Sequence, residues 1–112
     1  MAFQLGSGLL DACVLANVYD SDAYGYNLTQ NLKNVINISE STLYPVLRRL
    51  QSESLLETYD SQYQGRNRRY YRITDAGKAK LLEYIKDWRG FVVRVNRILM
   101  KGEETDGERT IS

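Results

Sequence analysis

Gln64-Gly65-Arg66-Asn67-Arg68-Arg69-Tyr70-Tyr71-Arg72-Ile73 is the stretch of this 112-residue chain on which the reading of the fold turns. A Gln-Gly turn signal is followed by four arginines and two tyrosines, in a chain whose formal net charge is only +1. Residues 69–73 are rich in strand formers, and so is Leu56-Glu57-Thr58-Tyr59 upstream. Together they predict a β-hairpin with strands near 56–59 and 69–73 and a long polar loop between them. Side chains alternate along a strand, so Arg69, Tyr71 and Ile73 share one face, and Arg68, Tyr70 and Arg72 share the other. Ile73 and Tyr71 are expected on the core side, which leaves Arg66, Asn67 and Arg68 nearest the tip. Glu57 and Asp60 can pair with one or two arginines across the hairpin, not with all four. The positive charge therefore reads as a footprint for an anionic partner. The competing reading is a solubilising hairpin whose arginines blunt a sheet edge.

Upstream of the hairpin the apolar period is helical. Leu9, Leu10, Cys13, Ala16, Val18 and Tyr19 predict a first helix over roughly 7–20, with Ser7 as its N-cap. Asp20-Ser21-Asp22 is a break. Tyr24, Leu28, Leu32 and Val35 predict a second helix over 24–34, and Ile36-Asn37-Ile38 alternates briefly as a short strand would. Ser39 is a good N-cap for a third helix over 40–53, and Glu40 in its first turn suits the positive end of the dipole. Pro45 falls past that first turn and removes one backbone hydrogen bond. Downstream, Thr74 or Asp75 caps a final helix reaching about 100, and residues 102–112 are polar and aperiodic, as a frayed tail would be.

The order is helix, helix, short strand, helix, hairpin, long helix. It predicts an α+β, mainly helical chain: a winged helix-turn-helix domain over 1–74, a long C-terminal dimerisation helix over 75–101 and a tail over 102–112. In that layout the third helix enters the major groove of DNA and the hairpin is the wing. On the third helix Leu43, Leu47 and Leu50 cluster, with Val46 to one side. Ser41, Pro45, Arg48 and Ser52 lie opposite, flanked by Thr42, Arg49 and Tyr44. Hydroxyls near a helix start, Ser39 included, reach base edges or phosphates, and arginine on guanine is the commonest base-specific contact. The DNA-binding residues are thus expected to be Ser39, Ser41, Thr42, Tyr44, Pro45, Arg48 and Arg49, with Arg66, Asn67, Arg68 and Arg69 from the wing.

The bulk composition narrows the alternatives. At 43% hydrophobic and 26% charged residues, the chain has the make-up of an ordinary globular domain. It contains no histidine and one cysteine, which excludes His-based triads, His-ligated zinc and an intrachain disulfide, and no phosphate-binding glycine pattern is present. No catalytic residue, metal site or cofactor is therefore expected. There is no apolar run long enough to span a bilayer and no secretory signal. The expected setting is cytoplasmic. Residues 40–80 carry the basic excess, while 1–39 and 101–112 are each acidic by two charges.

The last helix carries Leu81, Ile85, Trp88, Val92, Val95 and Leu99 at spacings of four and three, a seam of coiled-coil type. It either packs back on its own domain or docks on a second copy, and the second is the expected homodimer interface. Trp88, with Phe91 and Val92 beside it, is either interface packing or the wall of a pocket for planar ligands.

Three segments carry a family resemblance: Tyr24-Gly25-Tyr26, Ser41-Thr42-Leu43-Tyr44-Pro45-Val46-Leu47-Arg48-Arg49-Leu50, and Arg68-Arg69-Tyr70-Tyr71-Arg72-Ile73-Thr74-Asp75-Ala76-Gly77. In combination they resemble the PadR-like family of bacterial transcriptional regulators over roughly 8–100, and the single C-terminal helix looks like its short subfamily. The resemblance implies a homodimeric winged helix-turn-helix repressor on double-stranded DNA, with Pro45 accommodated in the recognition helix. It also implies a possible small planar hydrophobic effector, held at the dimer interface by paired tryptophans at the place of Trp88. The alternative from another class is a winged-helix protein–protein adaptor dimer with no DNA target.

Overall fold

The computed structural model describes residues 7–101. In chain order the elements are α1 (Ser7–Asn17), β1 (Ala23–Tyr24), α2 (Gly25–Ile36), α3 (Glu40–Ser52), β2 (Leu56–Tyr63), β3 (Arg66–Ile73) and α4 (Asp75–Leu99). This is the mixed α+β, mainly helical winged helix-turn-helix architecture expected. The tail expected over 102–112 lies outside the described residues.

Capping fixes the boundaries. The Ser39 side chain accepts from the Thr42 amide and opens α3, and Thr74 accepts from the Gly77 amide and opens α4. α1 ends at Asn17, three residues earlier than expected, because the Val18 and Tyr19 amides bond back to Leu15 and Ala16 and tighten the last turn. α3 closes on a left-handed residue, Ser54 (φ 64°): the Leu55 amide bonds to the Leu50 carbonyl and the Ser54 amide to that of Gln51. Pro45 sits inside α3 with its ring exposed, so water can take the place of the amide it lacks.

Two features depart from the sequence reading. The short strand expected at 36–38 is absent. Ile36 ends α2, and Asn37 caps it in the left-handed region (φ 55°), its amide bonded to the Lys33 carbonyl. The third strand is instead Ala23–Tyr24, antiparallel to Tyr71 and Tyr70, in a sheet of order β1-β3-β2. A two-residue strand is too short to show a period. The hairpin is also longer, and its loop shorter, than expected. Residues 60–63 and 66–68 continue the ladder from Leu56↔Ile73 to Tyr63↔Arg66. Only Gln64 (φ 52°) and Gly65 (φ 80°) remain as the turn, both in the left-handed region that matches the twist of a tight hairpin. Polar composition hid these strand residues, because neither of their faces is buried.

One core joins the helices to the sheet. Val14, Leu15, Leu28, Leu43, Leu50 and Leu56 are among its buried members, and Leu81 of α4 belongs to it. Gly77 lets α4 approach this core closely: a Cβ there would lie 2.2 Å from the Leu55 carbonyl oxygen.

A charged clamp ties α1, α3 and α4 together. The Asp11 side chain is only 4% exposed. Arg49 donates to both of its oxygens, at 3.0 and 2.5 Å, and the Tyr84 hydroxyl donates to Oδ2 at 2.9 Å. Burial together with that hydrogen bond pushes the Tyr84 hydroxyl up to about 12. Its own hydrogen bonds to Asp11 raise the Arg49 guanidinium above its ordinary value.

Two outcomes follow for stability. Arg49→Ala strands a buried carboxylate with only a hydroxyl for company, and should cost about 3 kcal/mol in denaturant unfolding. Tyr84 holds its proton more tightly folded than unfolded, where it titrates near 10. Its contribution is therefore complete below about pH 10 and is lost as pH rises through about 12. Tyr84→Phe should flatten that alkaline decline in thermal melts recorded against pH.

Candidate nucleic-acid interface

The exposed side of α3 carries Ser41, Thr42, Tyr44, Pro45 and Arg48. Ser39 stands at its start, where its hydroxyl lies 3.0 Å from those of both Ser41 and Thr42. The three hydroxyls form one polar group at the positive end of the helix. Arg49, expected among the DNA contacts, is turned toward α1 and committed to Asp11. A helical wheel puts Arg49 on the flank of the polar face, and a flank residue is free to turn to either side.

The wing meets α3 at Tyr71. Gly25 permits the approach of α2: a Cβ there would come within 3.2 Å of Tyr71 Cε1. Burial pushes the Tyr71 hydroxyl up, while the positive charges of Arg69 and Arg48 pull it down. Arg48 on α3 and Arg69 on β3 are thus electrostatic neighbours around one half-buried ring. A concavity of about 230 Å³ lies in front of it, lined by Tyr24, Gly25, Tyr26, Tyr44, Leu47, Arg69 and Tyr71.

The wing arginines divide by their partners. Arg69 donates to Asp60 at 3.2 Å and Arg72 donates to Glu57 at 2.9 Å, the cross-strand pairs the sequence suggested. Asp22 lies 4.0 Å from Arg72 and accepts from the Tyr59 hydroxyl at 2.6 Å. Arg48, Arg66 and Arg68 make no ion pair among the described residues. Arg66 and Asn67 are exposed beside the turn, and Asn67 donates to Asp60 at 3.4 Å. Arg68 lies over two rings, its Cζ 4.2 Å from the Tyr24 centroid and 4.0 Å from that of Tyr63. Neither tyrosine was singled out as a contact from sequence. Reading Tyr59-Asp60-Ser61-Gln62-Tyr63 as strand would have put Tyr63 on the face of Tyr59 and flagged it.

The seam residues of α4 separate along the helix. Leu81 is 3% exposed and belongs to the chain's own core, against which Ile85 also packs. Beyond them Trp88 is 39% and Leu99 69% exposed, with Val92 and Val95 half-buried between. Val93 and Ile98 widen the exposed apolar surface. Trp88 and Phe91 pack with ring centroids 6.2 Å apart. A groove of about 300 Å³ between α1 and α4 is lined by Leu9, Ala12, Cys13, Ala16, Leu81, Tyr84, Ile85 and Trp88. Burial raises the Cys13 thiol above its ordinary value. Among the described residues no cluster of metal-ligating side chains occurs, and no helix is long and apolar enough to cross a membrane.

A polar-faced α3 beside a basic two-stranded wing defines a protein of the winged helix-turn-helix regulator class. Residues 14–83 match the model of the transcriptional regulator PadR-like family, and the chain belongs to that family. A Streptococcus mutans protein of known structure superposes with a TM-score of 0.78 at 33% identity, over 100% of each chain. A PadR-like transcriptional regulator from Bacillus cereus does so at 0.75 and 35% identity, covering 82% of this chain and 92% of that one. A transcriptional regulator of Mycobacterium tuberculosis is 41% identical over 71 residues, 62% of this chain and 66% of that protein. The family places the chain among transcriptional regulators rather than enzymes.

The division among the wing arginines sets an expected outcome. Asp60→Asn frees Arg69 and should move elution from heparin to higher salt. Arg66→Ala should move it lower, each unit of charge changing the log–log salt slope by about 0.9 for duplex DNA.

Proposed function

We propose that this regulator is a cytoplasmic repressor that binds operator DNA as a homodimer, with α3 in the major groove and the wing on the flanking backbone. The observation that carries the reading is the concavity that Tyr44 and Leu47 of α3 share with Arg69 and Tyr71 of β3. It makes the exposed face of α3 and the wing one continuous surface. Ser39, Ser41, Thr42, Tyr44, Pro45 and Arg48 would meet bases and nearby phosphates, and Arg66, Asn67, Arg68 and Arg69 the backbone. Residues 1–74 carry the DNA-binding unit in this reading, and residues 75–101 carry the dimerisation helix. Support for dimerisation comes from the apolar stripe of distal α4, exposed at Trp88 and Leu99 and half-buried at Val92 and Val95 between them. Helix pairs bury such stripes against one another. The groove at Trp88 suits a small planar hydrophobic effector, and a second protomer would deepen it toward the size usual for ligand pockets.

Genome-wide mapping of bound DNA, followed by anisotropy titration of the mapped sites, tests the reading. Binding should weaken steeply between low and moderate salt. Arg48→Ala should cost ~1–3 kcal/mol on the preferred site and flatten the preference among sites. Absence of salt-sensitive binding to any mapped duplex would sink the reading, and a monomer by sedimentation at micromolar concentration would sink its dimeric part.

A further inference from the structure

We infer that Tyr24 and Tyr63 are positioning residues that hold Arg68 as a pre-set phosphate fork on the wing. The inference rests on the DNA-binding reading above and adds to it a way of fixing an arginine without cancelling its charge. The wing fixes arginines by two means. Arg69 and Arg72 are held by Asp60 and Glu57, and each pair is neutral overall. Arg68 is held by two aromatic rings, with its Cζ 4.2 and 4.0 Å from their centroids. A ring attracts the cation through its quadrupole and adds no opposing charge. A ring offers no acceptor oxygen, so the five N–H donors of the guanidinium stay available to a phosphate.

The scaffold keeps the rings in place. Tyr24 is half-buried, pairs with Tyr70 in the sheet and packs on its ring at 5.9 Å. Tyr70 in turn stacks on Tyr59 at 5.5 Å with 13° between planes. Tyr63 lies on the same face at the end of β2, beside the turn, and is 45% exposed. Its replacement therefore leaves the core untouched. An arginine ordered before DNA arrives loses less side-chain freedom on binding than one that must be ordered by it.

The test uses the full chain and a mixed-sequence fluorescein-labelled duplex, because a phosphate contact does not depend on the operator. Tyr63→Leu should weaken binding roughly three- to tenfold, the range expected for the cost of ordering one long side chain. Its salt slope should stay that of the wild type, since no charge is removed. Tyr63→Phe should bind as the wild type does. Arg68→Ala should weaken binding and also lower the slope by about 0.9 per contact, and adding Tyr63→Leu to it should do nothing more. Wild-type affinity in Tyr63→Leu, or an undiminished effect of that change without Arg68, would overturn the inference. Relaxation of the Arg68 Nε–H in the DNA-free protein separates the two levels. Equal mobility with and without the Tyr63 ring overturns the positioning role even if DNA binds, whereas a wild type that binds no duplex sinks the DNA reading on its own.

Discussion

The arrangement of α1, α3 and α4 depends on one carboxylate. Asp11 projects from α1 into the protein interior, where an isolated charge costs far more than a single hydrogen bond returns. It is tolerated because Arg49 covers both oxygens from α3 and Tyr84 adds a hydroxyl from α4. These donors stand 38 and 73 residues away in the chain. Apolar packing constrains distance more strongly than angle, since Leu and Val contacts survive small rotations. A bidentate guanidinium–carboxylate pair does not. The clamp thus fixes the rotation of α3 about its own axis, and with it which side chains face outward. Tyr44, Pro45 and Arg48 are exposed because Leu43, Val46, Leu47 and Leu50 face the core, and the Arg49 pair holds that orientation.

The wing shows how a nearly neutral chain keeps a directed field. Its arginines stand near Asp22, Glu57 and Asp60, and Arg69 and Arg72 are paired with them. Those pairs are exposed and add little to stability. Their effect is on where charge remains: at Arg66 beside the turn, at Arg68 on its rings and at Arg48 across on α3. Charge is removed near the sheet base and retained where the wing reaches furthest from the core. A uniformly basic hairpin would repel itself and bind anions along its whole length.

Much of this was legible in the sequence, because the signals were local. The Ser39 cap, the Leu43-Val46-Leu47-Leu50 stripe and the Thr74 cap each depend on a few neighbouring residues, and α3 and α4 stand within a residue or two of their expected places. What escaped depends on distant partners. Ala23–Tyr24 is a strand only because β3 lies beside it. Residues 60–63 continue β2 without a buried face to mark them, so composition made them look like loop. Arg49 shows the limit most plainly: a wheel cannot say that a flank arginine has an acid waiting on α1. Tyr24 and Tyr63 bracket Arg68 only once the register of the sheet is known.

α4 carries the consequence of that limit furthest. Its spacing of four and three reads as a single seam from Leu81 to Leu99, yet the helix divides by environment. Gly77 and Leu81 lie in the chain's own core, with Gly77 so close to the Leu55 carbonyl that no side chain fits. From Trp88 onward no residue of the same stripe is buried: Trp88 and Leu99 are exposed and Val92 and Val95 half-buried. A periodicity identifies which side of a helix is apolar, not what covers it. Because one uninterrupted helix serves both ends, its direction is set at the core end, by the Thr74 cap, the Gly77 contact and the bond from Tyr84 to Asp11. A second protomer seated on the distal stripe would find its own α3 placed by the same three contacts. The separation of two recognition helices would then be a property of the core, and not of the interface alone.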